Sequence, residues 1–238
     1  MPAPSAQHSS NSMEGRNKKP NFYIVIIVIL ILIIAAFAYN QWGKRFLPSL
    51  KEPDKDSGPK DIKTEIFKDD IQIGNADAPV TIIEYYSYLC GYCKQFEDET
   101  KPRIMENYIT IGKVKLILRP FPPYETGQAV LCANEQGKFL EYHNYLFDNV
   151  ETIQKVDDLK TFAKNTGLNE TEFGQCFDSG KYKTKTEEWY KQGNADFEKA
   201  KIEQSQRGTP TFFINGEPVI GAQPYEKFIE VIERKLGE

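Results

Sequence analysis

The sequence predicts an α/β domain built on a small mixed sheet, with a βαβ half and a ββα half separated by a helical block and one apolar membrane-spanning helix in front. Three observations carry this. A charge-free run, FYIVIIVILILIIAAFAY, fills Phe22–Tyr39. A β-branched and aromatic segment, VTIIEYY at Val80–Tyr86, is followed by helical sequence and then by KVKLILR at Lys113–Arg119. Near the end, TFFI (Thr211–Ile214), Asn215-Gly216 and EPVI (Glu217–Ile220) read as a hairpin before an amphipathic stretch, Tyr225–Leu236.

Composition narrows the possibilities. The 238 residues carry 30 Lys+Arg against 34 Asp+Glu, a net charge of −4, which argues against a nucleic-acid-binding protein. A hydrophobic content of 40%, with 14 Pro and 16 Gly, excludes wholesale disorder and a collagen-like chain.

The apolar run reaches roughly 27 Å at about 1.5 Å per residue, close to a hydrocarbon core, and has aromatic residues at both ends. Arg16, Lys18 and Lys19 precede it, whereas Lys44 and Arg45 are soon diluted by Glu52, Asp54 and Asp56. The positive-inside rule therefore favours a cytoplasmic tail over residues 1–21, a span over 22–39 and an extracytoplasmic remainder. A cleaved signal peptide is the alternative, since Ala36-Phe37-Ala38 has the small-x-small form, and it exports the remainder equally. Residues 40–70, rich in Pro, Gly, Ser and charge, read as a flexible linker. Residues 71–238 then form one domain.

Val80–Tyr86 follows the turn-forming GNADAP and reads as a strand. A helix is expected from Cys90–Cys93 onward, with Pro102 kinking or breaking it near Thr100 or Lys101. Lys113–Arg119 is the second strand, stopped by Pro120, Pro122 and Pro123, and the order suggests a parallel βαβ unit. From about residue 125 to 206 the apolar spacing is helical. Asn215-Gly216 supplies the positive-φ pair of a type I′ turn.

The chemistry centres on Cys90-Gly91-Tyr92-Cys93, where a strand hands over to a helix. Unpaired N–H groups and the helix dipole at that point favour a Cys90 thiolate, which makes Cys90 both a reactive nucleophile and a good leaving group. Cys93, one turn inward, suits the resolving thiol. A structural disulfide or half of a zinc site are the other readings of the pair. Zinc usually calls for a second close pair, whereas Cys132 and Cys176 lie 44 positions apart and the histidines are only His8 and His143. No metal is expected. Glu84 interrupts an apolar strand six residues before Cys90. It reads either as a buried acid able to relay a proton or as an acid on a half-exposed strand face. From the residues alone, Pro210 reads as an ordinary trans turn before TFFI. His143, in the amphipathic EYHNYLF, reads as structural, and Asn169 is either a glycosylation acceptor or a helix cap paired with Glu172.

Three segments, GNADAPVTIIEYYSYLCGYCKQF, CANEQGKFLEYHNYLF and GTPTFFINGEPVIGAQPYEKF, resemble the DsbA-type thiol:disulfide oxidoreductases, and the similarity runs through residues 71–238. The resemblance implies a thioredoxin-like fold and oxidation of disulfides in exported proteins. It implies that Cys90 is the exposed nucleophile, Cys93 its buried partner and Glu84 the acid beneath them. It further implies that Thr209–Pro210 is cis, with Thr209, Pro210, Gly91 and Tyr92 meeting substrate, and that Cys132 and Cys176 form a structural pair. The cofactor is the Cys90–Cys93 disulfide itself, and the partners implied are reduced client proteins and a quinone-linked membrane reoxidase.

Two departures bear on direction. Strong oxidases of the family carry Pro-His between the cysteines and Val before the cis-proline, where this chain has Gly91-Tyr92 and Thr209, a pattern similar to the isomerases. A disulfide isomerase or reductase is thus the alternative to an oxidase. A metal-handling module of the same fold is the remaining one, although no histidine follows His143 to serve as a further copper ligand.

Overall fold

The computed structural model describes residues 22–38 and 60–238, which divide into two units, Met1–Lys55 and Asp56–Glu238. In the first, α1 (Phe22–Ala38) is a 17-residue helix whose side chains from Tyr23 to Ile34 are exposed. No helix among the described residues is long and apolar enough to cross a membrane. Tyr39, assigned to the span, lies outside the described residues, as do the 1–21 tail and residues 40–59 of the assigned linker.

The second unit is a five-stranded sheet in the order β1-β3-β2-β4-β5, formed by β1 (Ile71–Ile73), β2 (Val80–Tyr86), β3 (Val114–Pro120), β4 (Thr211–Ile214) and β5 (Glu217–Ile220). Strands β2 and β3 run parallel from Val80 opposite Val114 to Tyr86 opposite Pro120. Such a pair needs a crossover, and helix α2, residues 91–109, supplies it. Strand β4 returns antiparallel to β2, with Glu84 opposite Phe212, and β5 pairs with β4 across a tight turn. Asn215 and Gly216 both have positive φ there, at 45° and 93°, as the Asn-Gly pair predicts.

Between the halves lie α3 (Tyr124–Glu135), α4 (Phe139–Asn149), α5 (Asp158–Asn165), α6 (Glu170–Asp178) and α7 (Lys183–Lys199); α8 (Tyr225–Gly237) ends the chain. Cys132 on α3 is bonded to Cys176 on α6, which staples the helical block. Asn169 caps α6, its side-chain oxygen accepting the N–H groups of Thr171 and Glu172.

Because the sheet is covered on both faces, β2 is apolar almost throughout, and alternation divides its side chains between two cores. Ile82 and Tyr86 pack with Phe96, Leu116, Phe212 and Phe228 on one face, whereas Ile83 and Tyr85 pack with Ile117, Phe197 and Phe213 on the other. Glu84 has the parity of Ile82 and Tyr86, so its carboxylate enters the face covered by α2.

Two expectations are corrected. Pro102 does not break α2. The helix passes into a π turn at Phe96–Thr100, where the Lys101 N–H bonds to the Phe96 carbonyl five residues back, and runs on through Lys101–Ile104 to a second π turn at Met105–Ile109. The wider turn accommodates the missing N–H and the ring that would otherwise interrupt an α-helix.

Residues 60–70, the end of the assigned linker, are bound to the domain. The Lys60 N–H donates to the Ala200 carbonyl at 2.8 Å and the Ile62 N–H to the Gly216 carbonyl at 2.9 Å. Ile62 and Phe67 pack against the two cores. Asp70 lies in a buried ion pair with Arg119, Oδ2 to Nη2 2.6 Å. Composition counted these residues as too polar to fold alone; their partners are distant in sequence, on β3, α7 and the hairpin turn.

Candidate active site

β2 ends at Tyr86 and the chain turns through Ser87–Leu89 into α2, which places Cys90 at the position before the first helical residue. Cys90 is extended, with φ −96° and ψ 114°, while its carbonyl already accepts the N–H groups of Cys93 and Lys94 at 3.0 and 3.1 Å. Both cysteines are free thiols; Cys90 is half-buried and Cys93 is buried. Leu89 and Tyr92 flank Cys90 with 63% and 68% of their surface exposed.

The second half of the fold meets the first at this point. Thr209–Pro210 is cis, and the Cys90 thiol donates to the Thr209 carbonyl at 3.1 Å across 119 positions of sequence. Pro122–Pro123 is also cis, and the Pro122 carbonyl accepts the Ser87 hydroxyl at 2.8 Å. The Ser87 N–H in turn points at Cys93 Sγ, 3.4 Å away.

The two thiols therefore sit in opposite environments. Burial works against a Cys90 thiolate, but side-chain hydrogen bonding with Thr209 and the Cys93 and Tyr92 N–H groups outweigh it, and the pKa lies below the ordinary thiol value. Burial pushes the Cys93 thiol far up, and the Ser87 N–H only partly offsets this. A disulfide between them presents Cys90 to attack and leaves its electron pair on Cys93 when it opens.

Glu84 is fully buried, so of its two sequence readings the buried acid is the one found. Burial, reinforced by the Glu97 charge and opposed by Lys101, raises its carboxyl well above the usual range. The Glu84 charge bears in turn on Cys93.

Sequence reasoning missed the groups around it. Glu97 Oε2 accepts from Lys101 Nζ at 2.6 Å, and Lys101 Nζ also donates to His143 Nε2 at 3.1 Å. Since an ammonium only donates, Nε2 is the bare nitrogen, and the proton on Nδ1 goes to the Tyr88 hydroxyl at 2.7 Å. Burial and Lys101 together, against Glu97, bring His143 down to about 4, so it is neutral at pH 7. Burial opposes ionisation of Glu97, yet His143 and Lys101 prevail and hold it at about 2. A usable signal exists. Cys93, Glu97 and Lys101 recur every four residues, which puts all three on one helix face.

Comparison with known proteins agrees with this geometry. A family profile described as Thioredoxin matches residues 67–234. The chain belongs to the thioredoxin family. Its fold is DsbA-like: it superposes on oxidised BdbD from Bacillus subtilis with a TM-score of 0.63 at 22% identity, covering 76% of this chain and all of that one. With alpha-DsbA1 from Wolbachia pipientis the TM-score is 0.62 at 24% identity, over 72% of this chain and 93% of the other. In sequence, this thioredoxin-family chain is 26% identical over 181 residues to disulfide bond formation protein D of Bacillus subtilis, covering 69% of the chain and 76% of that protein. It is 26% identical over 185 residues to a Rickettsia typhi protein provisionally named a protein-disulfide oxidoreductase, covering 74% of this chain. The match spans 66% of that relative's length, and 61% and 58% of its counterparts from Rickettsia felis and Rickettsia prowazekii.

Proposed function

We propose that this DsbA-like chain is an extracytoplasmic thiol:disulfide oxidoreductase that introduces disulfides into exported proteins. The observation that carries the reading is the asymmetry of the dithiol, with an accessible, acidified Cys90 over a buried, proton-retaining Cys93. A client thiolate attacks Cys90 Sγ of the oxidised pair, the Cys90–Cys93 bond breaks, and its electron pair leaves on Cys93, which takes up a proton. A second client thiolate then attacks the client sulfur of the mixed disulfide, the client disulfide forms, and Cys90 departs as the thiolate. The client loses two electrons and the pair gains them.

The cis Thr209–Pro210 segment beside Cys90 supports pairing with an extended client backbone, and exposed Leu89 and Tyr92 supply apolar contact next to the reacting sulfur. The charge-free apolar run Phe22–Tyr39 of the sequence supports a role as membrane anchor, and a quinone-linked membrane protein is the class of partner that would reoxidise the pair. Gly91-Tyr92 and Thr209 favour the second reading, a disulfide isomerase or reductase, because the groups around Cys90 set how strongly its thiolate is held and hence the redox poise.

The test gives the oxidised protein a stoichiometric amount of a reduced multi-cysteine client and counts client disulfides with time. Rapid transfer that Cys90→Ala abolishes is expected. Negligible transfer, with the reduced protein instead rearranging scrambled client disulfides, establishes the second reading. Cys93→Ser is expected to accumulate mixed disulfides through Cys90 in acid-quenched samples.

A further inference from the structure

Opening the Cys90–Cys93 bond puts negative charge on a sulfur that is badly placed to carry it. The charge appears on Cys93 Sγ as the bond breaks, and burial together with the charges of Glu84 and Cys90 opposes it there. The Ser87 N–H, 3.4 Å from that sulfur, works the other way. Neither a thiol nor a disulfide sulfur is a strong acceptor. A fixed N–H aimed at the atom where charge develops therefore lowers the barrier more than it stabilises either end state.

What fixes this N–H is the rest of Ser87. The residue lies one position past the end of β2, whose last partner on β3 is Pro120. The Phe121 N–H still reaches the Tyr86 carbonyl, at 2.6 Å, but Pro122 and Pro123 have no N–H with which to continue a ladder. The serine side chain takes over at that point. Its hydroxyl donates to the Pro122 carbonyl at 2.8 Å and accepts the Leu89 N–H at 3.4 Å, while the Ser87 carbonyl accepts the Cys90 N–H at 3.1 Å. The anchor itself is firmly held. Phe121 is buried in one core with Tyr85, Phe197 and Phe213, and the Pro123 carbonyl accepts the Thr126 hydroxyl at 2.7 Å. A loop rooted in the core thus grips the turn that carries the dithiol.

We infer that Ser87 is a positioning residue for thiol exchange: its hydroxyl, hooked on the Pro122 carbonyl, holds its N–H against Cys93 Sγ, so that this sulfur can leave as a thiolate when the disulfide opens and attack as one when it closes. In opening, an incoming thiolate bonds to Cys90 Sγ, the Cys90–Cys93 bond breaks, and its electron pair stays on Cys93 Sγ beside the Ser87 N–H until a proton is taken up. In closing, Cys93 Sγ loses its proton and attacks Cys90 Sγ of a mixed disulfide, and the outgoing sulfur carries the electron pair away. The same N–H serves both directions, so it speeds them equally and leaves the balance between dithiol and disulfide where it was. The inference rests on the thiol exchange proposed above, and not on client proteins being oxidised by it.

The test uses the full chain in detergent micelles and two small reagents, dithiothreitol to open the disulfide and oxidised glutathione to close it. Acid quenching and alkylation count the free thiols, and the decay of the protein–glutathione mixed disulfide gives the closing rate. Ser87→Ala is expected to slow both steps about tenfold, the order lost with a hydrogen bond to a charged group, with the equilibrium constant against glutathione unchanged within about twofold. Pro122 is half-buried, so water can take up its freed carbonyl and the variant folds. Ser87→Thr keeps the hydroxyl and is expected to keep the wild-type rates. A Ser87→Ala variant with wild-type rates in both directions overturns the inference. So does one in which a single direction slows and the equilibrium constant moves with it, because the residue then acts on the stability of one redox state. Ser87→Thr as slow as Ser87→Ala overturns it as well, since the hydroxyl is then not what holds the N–H. Neither reagent is a protein, so a wild-type chain that fails to oxidise clients leaves this result standing, and unchanged Ser87→Ala rates leave the proposed oxidase standing.

Discussion

Replacing Asp70 with alanine should remove a large part of the stability of the domain, although Asp70 lies outside the active site and in a segment whose composition reads as linker. Its Oδ1 accepts from Arg119 Nε at 3.1 Å and from the Trp189 indole at 2.7 Å, and its Oδ2 from Arg119 Nη2 at 2.6 Å and the Phe67 N–H at 2.8 Å. Arg119 is fully buried and keeps only the Glu65 carbonyl at 2.6 Å and the Tyr85 hydroxyl at 2.8 Å when Asp70 is gone. A guanidinium cannot escape by losing its proton, so breaking the pair from one side should cost about 3–5 kcal/mol, a large share of the ~5–15 kcal/mol that holds a domain together. Removing both partners with Asp70→Ala and Arg119→Met leaves no unpaired charge and should cost at least about 2 kcal/mol less than the two single losses added together. Urea unfolding measures this directly, with Trp189 as a reporter inside the cluster. An Asp70→Ala loss below about 1 kcal/mol, or strict additivity in the double variant, would refute the view that this ion pair fastens residues 60–70 to the sheet.

Other outcomes follow from the same structure. Replacing Cys132 and Cys176 by alanine opens a loop of 44 positions and should lower the urea midpoint by the equivalent of about 4 kcal/mol on the chain-entropy estimate, while dithiothreitol reduction through Cys90 is unaffected. Gly193→Ala should destabilise despite its better helix propensity. The new Cβ overlaps the Phe121 ring and comes within 3.0 Å of Tyr85, an overpacking of about 1–3 kcal/mol against a gain of about 1. Stability should be nearly flat between pH 4.5 and 6.5 in the native chain, because two buried groups oppose each other there. Unfolded Glu84 loses its proton above 4.5 while folded Glu84 keeps it, which lowers stability as pH rises; unfolded His143 holds a proton up to 6.5 that folded His143 has shed by about 4, which raises it. Glu84→Gln removes the first effect, so its stability should climb with pH across this window by up to about 1.4 kcal/mol per unit; a flat profile in the variant would contradict the neutral state assigned to buried His143.

Local signals read well where one element carries its own pattern. Val80–Tyr86 announces a strand through its residue types, Asn215-Gly216 announces a turn through positive φ, and Cys90–Cys93 stands where the strand gives way to the helix. Elements that owe their form to a distant partner do not announce themselves. Ile71–Ile73 is a strand because Leu118, Ile117 and Leu116 pair with it, and Asp70 is buried because Arg119 and Trp189 await it. The cluster around Glu84 joins both kinds. Glu97 and Lys101 keep the helical spacing of Cys93, whereas His143 arrives from α4, 42 positions beyond Lys101, and its histidine-on-an-amphipathic-helix context gives no hint of an ionic neighbour.

The two π turns in α2 make this helix sensitive to the number of its residues as well as to their kind. A π turn holds one residue more than an α-helical turn would need, so losing a single residue between Phe96 and Thr100 would let the helix close into regular α form with everything beyond it still on its present face, whereas gaining one there would rotate everything beyond by about 100°. Cys90 and Cys93 precede that point and would keep their places. Lys101, Ile104 and Tyr108, now buried, would stay inside after the loss and be swung off the inner face by the gain, while Pro102 would meet the interior of an unrelieved helix after the loss. Among descendants of this chain, substitutions along the outer face of α2 should accumulate freely, and where its length changes, single-residue losses at the π turns should outnumber gains.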